Sequence, residues 1–375
     1  MVLLIGNYPP DQQQSMQRFS AMMLQGLTTA GFSARVIRPE PIAGNFKSAG
    51  RFISKWLGYV DKFIWFPFQL KKALAKNPAL VHICDHSNAV YAQRCGRVPV
   101  LVTCHDLLAV RGALGENTDC PASATGRILQ RWILSGLRRA DVVACISRAT
   151  ASDAERLVGR GNDRPLISVV PMGLNYPYRK ISPEIARARL AKIDRFDVDL
   201  PFVLHVGSNQ RRKNRDGVLR IFARCKEKWQ GRVVFAGDRL NAGLISLAEK
   251  LGVSDRVTQL ENPDSEILEA LYNCALVLLY PSRFEGFGWP IIEAQACGCP
   301  VICSNSGPLP EAAGEAGLFH DIDDEKGFAA DLMRLTDPGE RACWSEKSLR
   351  NAENFSTEKM ITHYIDIYRS LGAKP

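Results

Sequence analysis

Two carboxylates eight positions apart bracket the run Glu285-Gly286-Phe287-Gly288-Trp289-Pro290-Ile291-Ile292-Glu293. Gly286 and Gly288 carry no Cβ, so backbone N–H groups there can come close to a ligand. Pro290 suits the first turn of a helix, and a helix start favours a phosphate or a polarised hydroxyl. The loop has the parts for an anionic ligand with one carboxylate at each end. A Gly-rich connection with solvated glutamates fits the local pattern equally well. A second group, Gly207-Ser208-Asn209-Gln210-Arg211-Arg212-Lys213-Asn214, sets a guanidinium and an ammonium at a strand-to-helix turn. That pairing suits a diphosphate, and the alternative is a solvated basic turn. A third, Thr103-Cys104-His105-Asp106-Leu107, ends a strand with an imidazole able to hydrogen-bond a hydroxyl. A lone histidine is more often structural.

These groups need elements to hold them. The apolar run Ala275-Leu276-Val277-Leu278-Leu279 reads as a buried parallel strand, placing Glu285 at its carboxyl end. The helix after it ends at Gly298, with Pro300 beyond, and carries Glu293 in its first turn. Ligands bind at that edge of an open α/β sheet. The first half alternates strands at Val2–Ile5, Ala34–Ile37, Leu80–Ile83, Val98–Thr103, Val142–Ile146 and Ile167–Val170 with helical patterns. One of these puts Met16, Phe19, Met23, Leu24 and Leu27 on a single face. The alternation restarts at Phe202–Val206 and Val233–Ala236. It predicts an α/β protein with parallel, doubly wound sheets. The polar stretch from Tyr176 to Leu200 reads as a separator, and Phe355 to Leu371 as a final amphipathic helix.

At 375 residues, two domains are expected. With 46% apolar and 23% charged residues the chain is globular in composition, and no window offers 18 uninterrupted apolar residues. The start, Met1-Val2-Leu3-Leu4-Ile5-Gly6, reads as a strand and lacks the basic lead-in of a signal peptide. Eleven scattered cysteines suit a reducing compartment. Cys297 and Cys299 belong to a helix end, Asp197/Asp199 lie in the polar separator and Asp321/Asp323 in a late acidic loop, and neither pair follows a cleft-facing strand, so no metal site is expected. The net charge of +9 is uneven: residues 1–180 carry +12 and the rest −3. Such asymmetry points to an anionic partner. The segment Phe46–Lys76 interleaves aromatics with bases, and Lys55, Trp56, Lys62 and Trp65 are its candidate membrane contacts. A core helix with a basic outer face is the competing reading. No RNP or KH pattern accompanies it, so nucleic acid is not expected.

The run Glu-Gly-Phe-Gly-x-Pro-x-x-Glu, followed by Ala-x-Ala-Cys-Gly-x-Pro-Val and Leu309-Pro310-Glu311, resembles the signature of glycosyltransferase family 4, retaining enzymes of GT-B fold. The resemblance implies two Rossmann-like domains facing across a cleft, here 1–178 and 179–355, with residues 356–375 packing back on the first. It implies that Arg212 and Lys213 bind the donor's phosphates, with Gly207, Gly286, Phe287 and Gly288 lining the donor site. Glu293 would bind the ribose hydroxyls. Glu285 would stabilise charge at the anomeric carbon, and His105 would face the reacting sugar, with Asp106 orienting its loop. His-Asp-Leu with Arg-Lys-Asn resembles the family's mannosyltransferases most closely. The expected donor is therefore GDP-mannose, with a UDP-sugar, or a sugar-nucleotide epimerase of the same fold, as alternatives. The acceptor would be lipid-linked or a polysaccharide, at the cytoplasmic face of a membrane, with no metal or other cofactor. One departure stands out. Where the family often carries a Gly-Gly loop after the first strand, this chain has Asn7-Tyr8-Pro9-Pro10-Asp11-Gln12-Gln13-Gln14-Ser15. Gln12, Gln13, Gln14 and Ser15 would have to shape the acceptor side instead.

Overall fold

Continuous apolar runs form the inner strands, because a parallel sheet covered on both faces leaves no polar side. The computed structural model describes residues 1–11, 13–42, 51–159, 165–194 and 196–374, the side chains of residues 51–55 excepted. Gln12, the stretch 46–50 and the side chain of Lys55 therefore lie outside the described residues. The chain divides into two compact units, Met1–Asn175 with Thr357–Pro375, and Tyr176–Ser356.

The first unit holds β1 (Val2–Ile5), β2 (Ala34–Ile37), β3 (Leu80–Ile83), β4 (Val100–Cys104), β5 (Val142–Cys145) and β6 (Leu166–Val169). All pair in parallel, in the order β2-β1-β3-β4-β5-β6. Its helices are α1 (Gln14–Thr29), α2 (Arg51–Val60), α3 (Phe66–Leu74), α4 (Leu108–Ala113), α5 (Ala124–Arg139) and α6 (Arg148–Val158), and a π-type turn, Asp61–Trp65, joins α2 to α3. The second unit holds α7 (Pro183–Leu190), β7 (Phe202–Gly207), α8 (Arg215–Cys225), β8 (Arg232–Gly237), α9 (Ala242–Lys250), β9 (Val257–Glu261), α10 (Ser265–Cys274) and β10 (Val277–Tyr280). It continues through α11 (Trp289–Ala296), β11 (Val301–Ser304), α12 (Leu309–Ala313), β12 (Gly317–His320), α13 (Glu325–Arg334) and α14 (Pro338–Ala352). Its sheet is again parallel, ordered β12-β11-β10-β7-β8-β9.

Each strand order reverses once, between β1 and β3 in the first sheet and between β7 and β10 in the second. Crevices form at the carboxyl ends of strands at such reversals.

The last helix, α15 (Thr357–Ser370), belongs to the first unit. It buries Met360, Ile361, Tyr364, Ile365 and Tyr368. Gly26 of α1 lets it approach, since a Cβ there would meet Ile361 at 2.5 Å. Tyr368 Oη lies 2.7 Å from His82 Nδ1, His82 Nε2 lies 2.8 Å from Thr103 Oγ1, and Thr103 Oγ1 lies 2.9 Å from Tyr364 Oη. This buried polar chain ties α15 to β3 and β4, two residues short of His105.

Two expectations need correcting. Tyr176–Leu200 is more than a separator. Ser182 caps α7, whose buried Ala186 and Leu190 pack it on α10, and Arg189 pairs with Glu269 at 2.6 Å. Glu293 is the fifth residue of its helix rather than part of the first turn, because the helix starts at Trp289 after Gly288 at φ 112°.

Candidate functional site

In the second unit the turn after β7 and the loop after β10 meet at the sheet's reversal. Lys213 Nζ donates to Glu285 Oε1 at 2.6 Å and to Tyr280 Oη at 2.7 Å. Tyr280 Oη donates to the same Oε1 at 2.7 Å. Arg212 Nη1 donates to Glu285 Oε2 at 2.7 Å and to the Phe284 carbonyl at 3.2 Å, while its Nε donates to Gln210 at 2.8 Å. Burial alone would raise the Glu285 pKa, but the Lys213 and Arg212 charges outweigh it and bring it down to about 2. Glu285 is therefore an anion at any ordinary pH. Burial lowers the Lys213 pKa, against the pull of Glu285. The cluster holds two cations and one carboxylate, an excess of positive charge suited to a phosphate.

Asn214 sits at φ 52°, a left-handed conformation that asparagine tolerates, and ends the turn by donating to the Pro281 carbonyl at 2.9 Å. Gly207 is needed for space. A Cβ there would come within 3.3 Å of the Lys213 side chain and 3.4 Å of His205 Nε2. Beneath the cluster, His205 is fully buried and stacks on Tyr280 with centroids 6.0 Å apart. Its Nδ1–H donates to the Leu279 carbonyl at 3.0 Å. Its Nε2 has no hydrogen-bond partner among the described residues.

Phe287 is buried against Phe355, with ring centroids 5.7 Å apart, and Gly288 caps α11. Gly286 lies in the same loop, half-buried. Eight residues beyond Glu285, Glu293 is 4% exposed and accepts from Tyr272 Oη at 2.8 Å. This places a second buried carboxylate midway along α11, near enough for its charge to act on Lys213.

The first unit builds its own polar group at the β1/β3 reversal. Asn7, after β1, donates to Asp85, after β3, and to the side-chain oxygen of Gln13. Asp85 is 2% exposed, caps the turn after β3 by accepting from Ser87 N at 3.1 Å, and lies 3.1 Å from His86 Nδ1. Burial opposes its ionisation, yet the His86 contact, His105 and Ser87 hold its carboxyl below the usual range. His105, one strand further along, is 4% exposed, with Nε2 2.9 Å from the Cys84 carbonyl. A carbonyl only accepts, so Nε2 carries the proton and Nδ1 is left as the acceptor. Burial lowers the His105 pKa, against the pull of Asp85. Asp106 Oδ1 accepts from Leu108 N at 3.0 Å, bracing that loop. Gln14 and Ser15 open α1 and are exposed.

The aromatic segment is partly exposed. Trp56 is 52% and Trp65 48% exposed, with Ile64 and Phe68 exposed beside them. A ladder of rings joins Trp56 to Tyr59, Tyr59 to Phe63, and Phe63 to Trp132 of α5. Lys62 does not face outward as expected. Its Nζ lies 2.7 Å from Asp11 Oδ2 and over the ring of Tyr8, because the π-type turn brings it against the loop after β1. Tyr8 Oη also donates to the buried Asp61 of that turn at 2.8 Å. No helix among the described residues is long and apolar enough to cross a membrane, and none of them form a His/Cys/Asp/Glu cluster that could hold a metal ion.

Residue-type reasoning passed over Tyr280, His205, Tyr272, Asn7 and Asp85. Tyr280 had a faint signal, as a hydroxyl closing an aliphatic strand just before Pro281. Asn7 stood in the loop after the first strand already marked as a departure, and the others carried none.

Comparison with known proteins follows the same division. Residues 16–177 match the family described as Glycosyltransferase Family 4, and residues 187–350 match Glycosyl transferases group 1. A D-inositol 3-phosphate glycosyltransferase of Rhodococcus jostii is 33% identical over 287 residues, covering 72% of this chain and 61% of that protein. O-antigen chain mannosyltransferase B of Escherichia coli is 29% identical over 253 residues, covering 65% of each. The chain thus spans less than two thirds of the length of either relative. Among solved structures, sucrose-phosphate synthase of Thermosynechococcus elongatus superposes with a TM-score of 0.76 at 22% identity, covering 99% of this chain and 98% of that one.

Proposed function

The chain belongs to the group 1 glycosyltransferases of GT-B fold, and on that premise we propose that it moves a hexose from a nucleotide diphosphate sugar to an acceptor hydroxyl with retention of configuration. The observation that carries this reading is the buried carboxylate of Glu285 held by Arg212, Lys213 and Tyr280 at the reversal of the second sheet. Arg212 and Lys213 take the diphosphate and offset the charge that grows on it as the glycosidic bond breaks. Glu293 binds the ribose hydroxyls. Glu285, an anion throughout, stabilises positive charge at the anomeric carbon. His105 offers Nδ1 as acceptor to a sugar hydroxyl.

Mannose from GDP-mannose is the first-choice donor, supported by the His105-Asp106-Leu107 and Arg212-Lys213-Asn214 motifs and by the name of the Escherichia coli relative. The acceptor is lipid-linked or a polysaccharide, and the protein works peripherally at the inner face of a membrane. Exposed Trp56, Ile64, Trp65 and Phe68 on the basic first unit support that placement. The test incubates the protein with labelled GDP-mannose or UDP-glucose and membrane glycolipid extract, in excess EDTA. Release of GDP with transfer of label, and an axial-to-axial outcome at the anomeric carbon by NMR, is expected. Transfer from UDP-glucose alone would overturn the donor choice. Inversion would overturn the mechanism, and activity restored only by Mg²⁺ or Mn²⁺ would overturn metal independence.

A further inference from the structure

Glu285 and a donor diphosphate want the same two cations. Glu285 takes one oxygen to Arg212 and the other to Lys213, at 2.7 and 2.6 Å. Its side chain is 7% exposed and Lys213's is 12%, so the pairing is shielded from solvent screening. Lys213 spends two of its three N–H groups inside the cluster, on Tyr280 and Glu285. A phosphate that binds Lys213 and Arg212 fully must take N–H groups now held by the carboxylate. Two anions cannot both stand close to the same cations at full strength without repelling one another.

We propose that Glu285 is a built-in competitor for the diphosphate site, and that Tyr280 is the positioning residue that keeps the carboxylate in place once the phosphates draw the cations away. The inference rests on the reading of this site as one for a nucleotide sugar. Tyr280 is suited to the task on three counts. Its phenol donates to Glu285 Oε1 at 2.7 Å and needs no cation to do so. Its ring is fully buried at the end of β10 and stacked on His205, which fixes its direction. Burial beside Glu285 pushes its pKa well up, so the proton it donates is retained. Glu285 is held at three points, and with a diphosphate bound the phenol is the one that persists. Donor binding thus converts Glu285 from a partner of the phosphate site into a carboxylate free to face positive charge on the sugar. Without the competition, that carboxylate would have to be supplied already unpaired and buried, which is costly.

The test measures binding of UDP and GDP by calorimetry to the full chain and to Glu285→Gln, and steady-state kinetics for Tyr280→Phe. Glutamine keeps the size and leaves the cations uncompensated. Glu285→Gln is expected to bind a nucleoside diphosphate about tenfold tighter while losing turnover, the scale of one charge-assisted hydrogen bond. Tyr280→Phe is expected to lower kcat by at least about tenfold with donor KM little changed, since its contact matters after binding. Unfolding temperatures of both variants show that each has folded. Wild-type protein that binds neither nucleotide would defeat the reading of the site itself. Wild-type binding with Glu285→Gln no tighter, or Tyr280→Phe changing KM and not kcat, would overturn this inference and leave that reading standing.

Discussion

His205 makes the second unit sensitive to acid by an amount that can be worked out. Its imidazole is fully buried, donates through Nδ1 to the Leu279 carbonyl and leaves Nε2 without a partner. Protonation would put a charge on Nε2 near Lys213 and Arg215. Burial, above all, and those two charges bring its pKa down to about 3. The folded unit therefore stays unprotonated where the unfolded chain takes up a proton. The stability this represents is whole above pH 6.5 and falls as pH drops from there toward 3. At about 1.4 kcal/mol per pH unit per proton, the loss between pH 7.5 and 5.0 is about 2 kcal/mol. Glu285 does not blur this window, since a carboxylate with a depressed pKa costs stability only below the ordinary carboxylate range. His205→Asn keeps an N–H toward Leu279 and removes the titration. Calorimetry at the two pH values is expected to show the second unit's transition falling less in the variant, by about 4–8 °C at about 2–4 °C per kcal/mol. Equal falls in both proteins would refute the assignment.

Lys213→Ala is expected to cost about 2–4 kcal/mol in kcat, with donor KM less affected, and near-normal turnover in steady-state assays would mean that the phosphate site is misplaced. Glu293→Ala should instead raise donor KM with kcat less affected, because ribose contacts persist from ground state to transition state; a large kcat loss at constant KM contradicts that role. Gly136→Ala should lower the first unit's stability by about 1–3 kcal/mol or more, since the new Cβ would sit 2.1 Å from the Ala89 carbonyl oxygen, and an unchanged melting temperature would show that α5 can shift away. Vesicles with anionic lipid should capture the protein at low salt and release it as salt rises. Trp56→Ser with Trp65→Ser should weaken that capture without changing nucleotide binding, and indifference to anionic vesicles would point to a soluble acceptor.

The inner strands such as Val277–Tyr280 and Val142–Cys145 were readable because a parallel sheet demands uninterrupted aliphatic runs, whereas Val257–Glu261, Val301–Ser304 and Gly317–His320 were not placed. What escaped were contacts made by topology. Lys213 and Glu285 are 72 positions apart, and they meet because β7 and β10 are neighbours across the sheet's reversal. Lys62 reads locally as part of a basic, aromatic helix, but its partner Asp11 is 51 positions away. Tyr280 carries only the faint signal of a hydroxyl closing its strand until that hydroxyl is seen among charges. The α7 helix escaped for a different reason. It buries little beyond Ala186 and Leu190, too thin a stripe to show a helical period in a polar stretch.

The missing glycines after β1 follow from the same logic of strand reversals. A loop at a reversal must be held open and rigid, and there are two ways to do that. Glycine leaves room for close neighbours, as Gly207 after β7 does for Lys213 and His205. Alternatively, side chains can tie the two loops that flank the reversal to one another. The first unit takes the second course: Asn7 after β1 is bound to Asp85 after β3, and the same amide holds Gln13 at the mouth of α1. Asn88 donates back to Asn7, so both ends of that amide are used. Tyr8 and Asp11 then anchor the rest of the loop to Asp61 and Lys62 of the π-type turn. With the amide committed on both sides, the loop has little freedom left to adapt to a ligand's phosphate. What it presents is Gln13, Gln14 and Ser15 on an exposed edge, groups that suit hydroxyls better than a charged backbone approach. On the proposal that these residues shape the acceptor side, they favour a neutral, hydroxyl-rich sugar there.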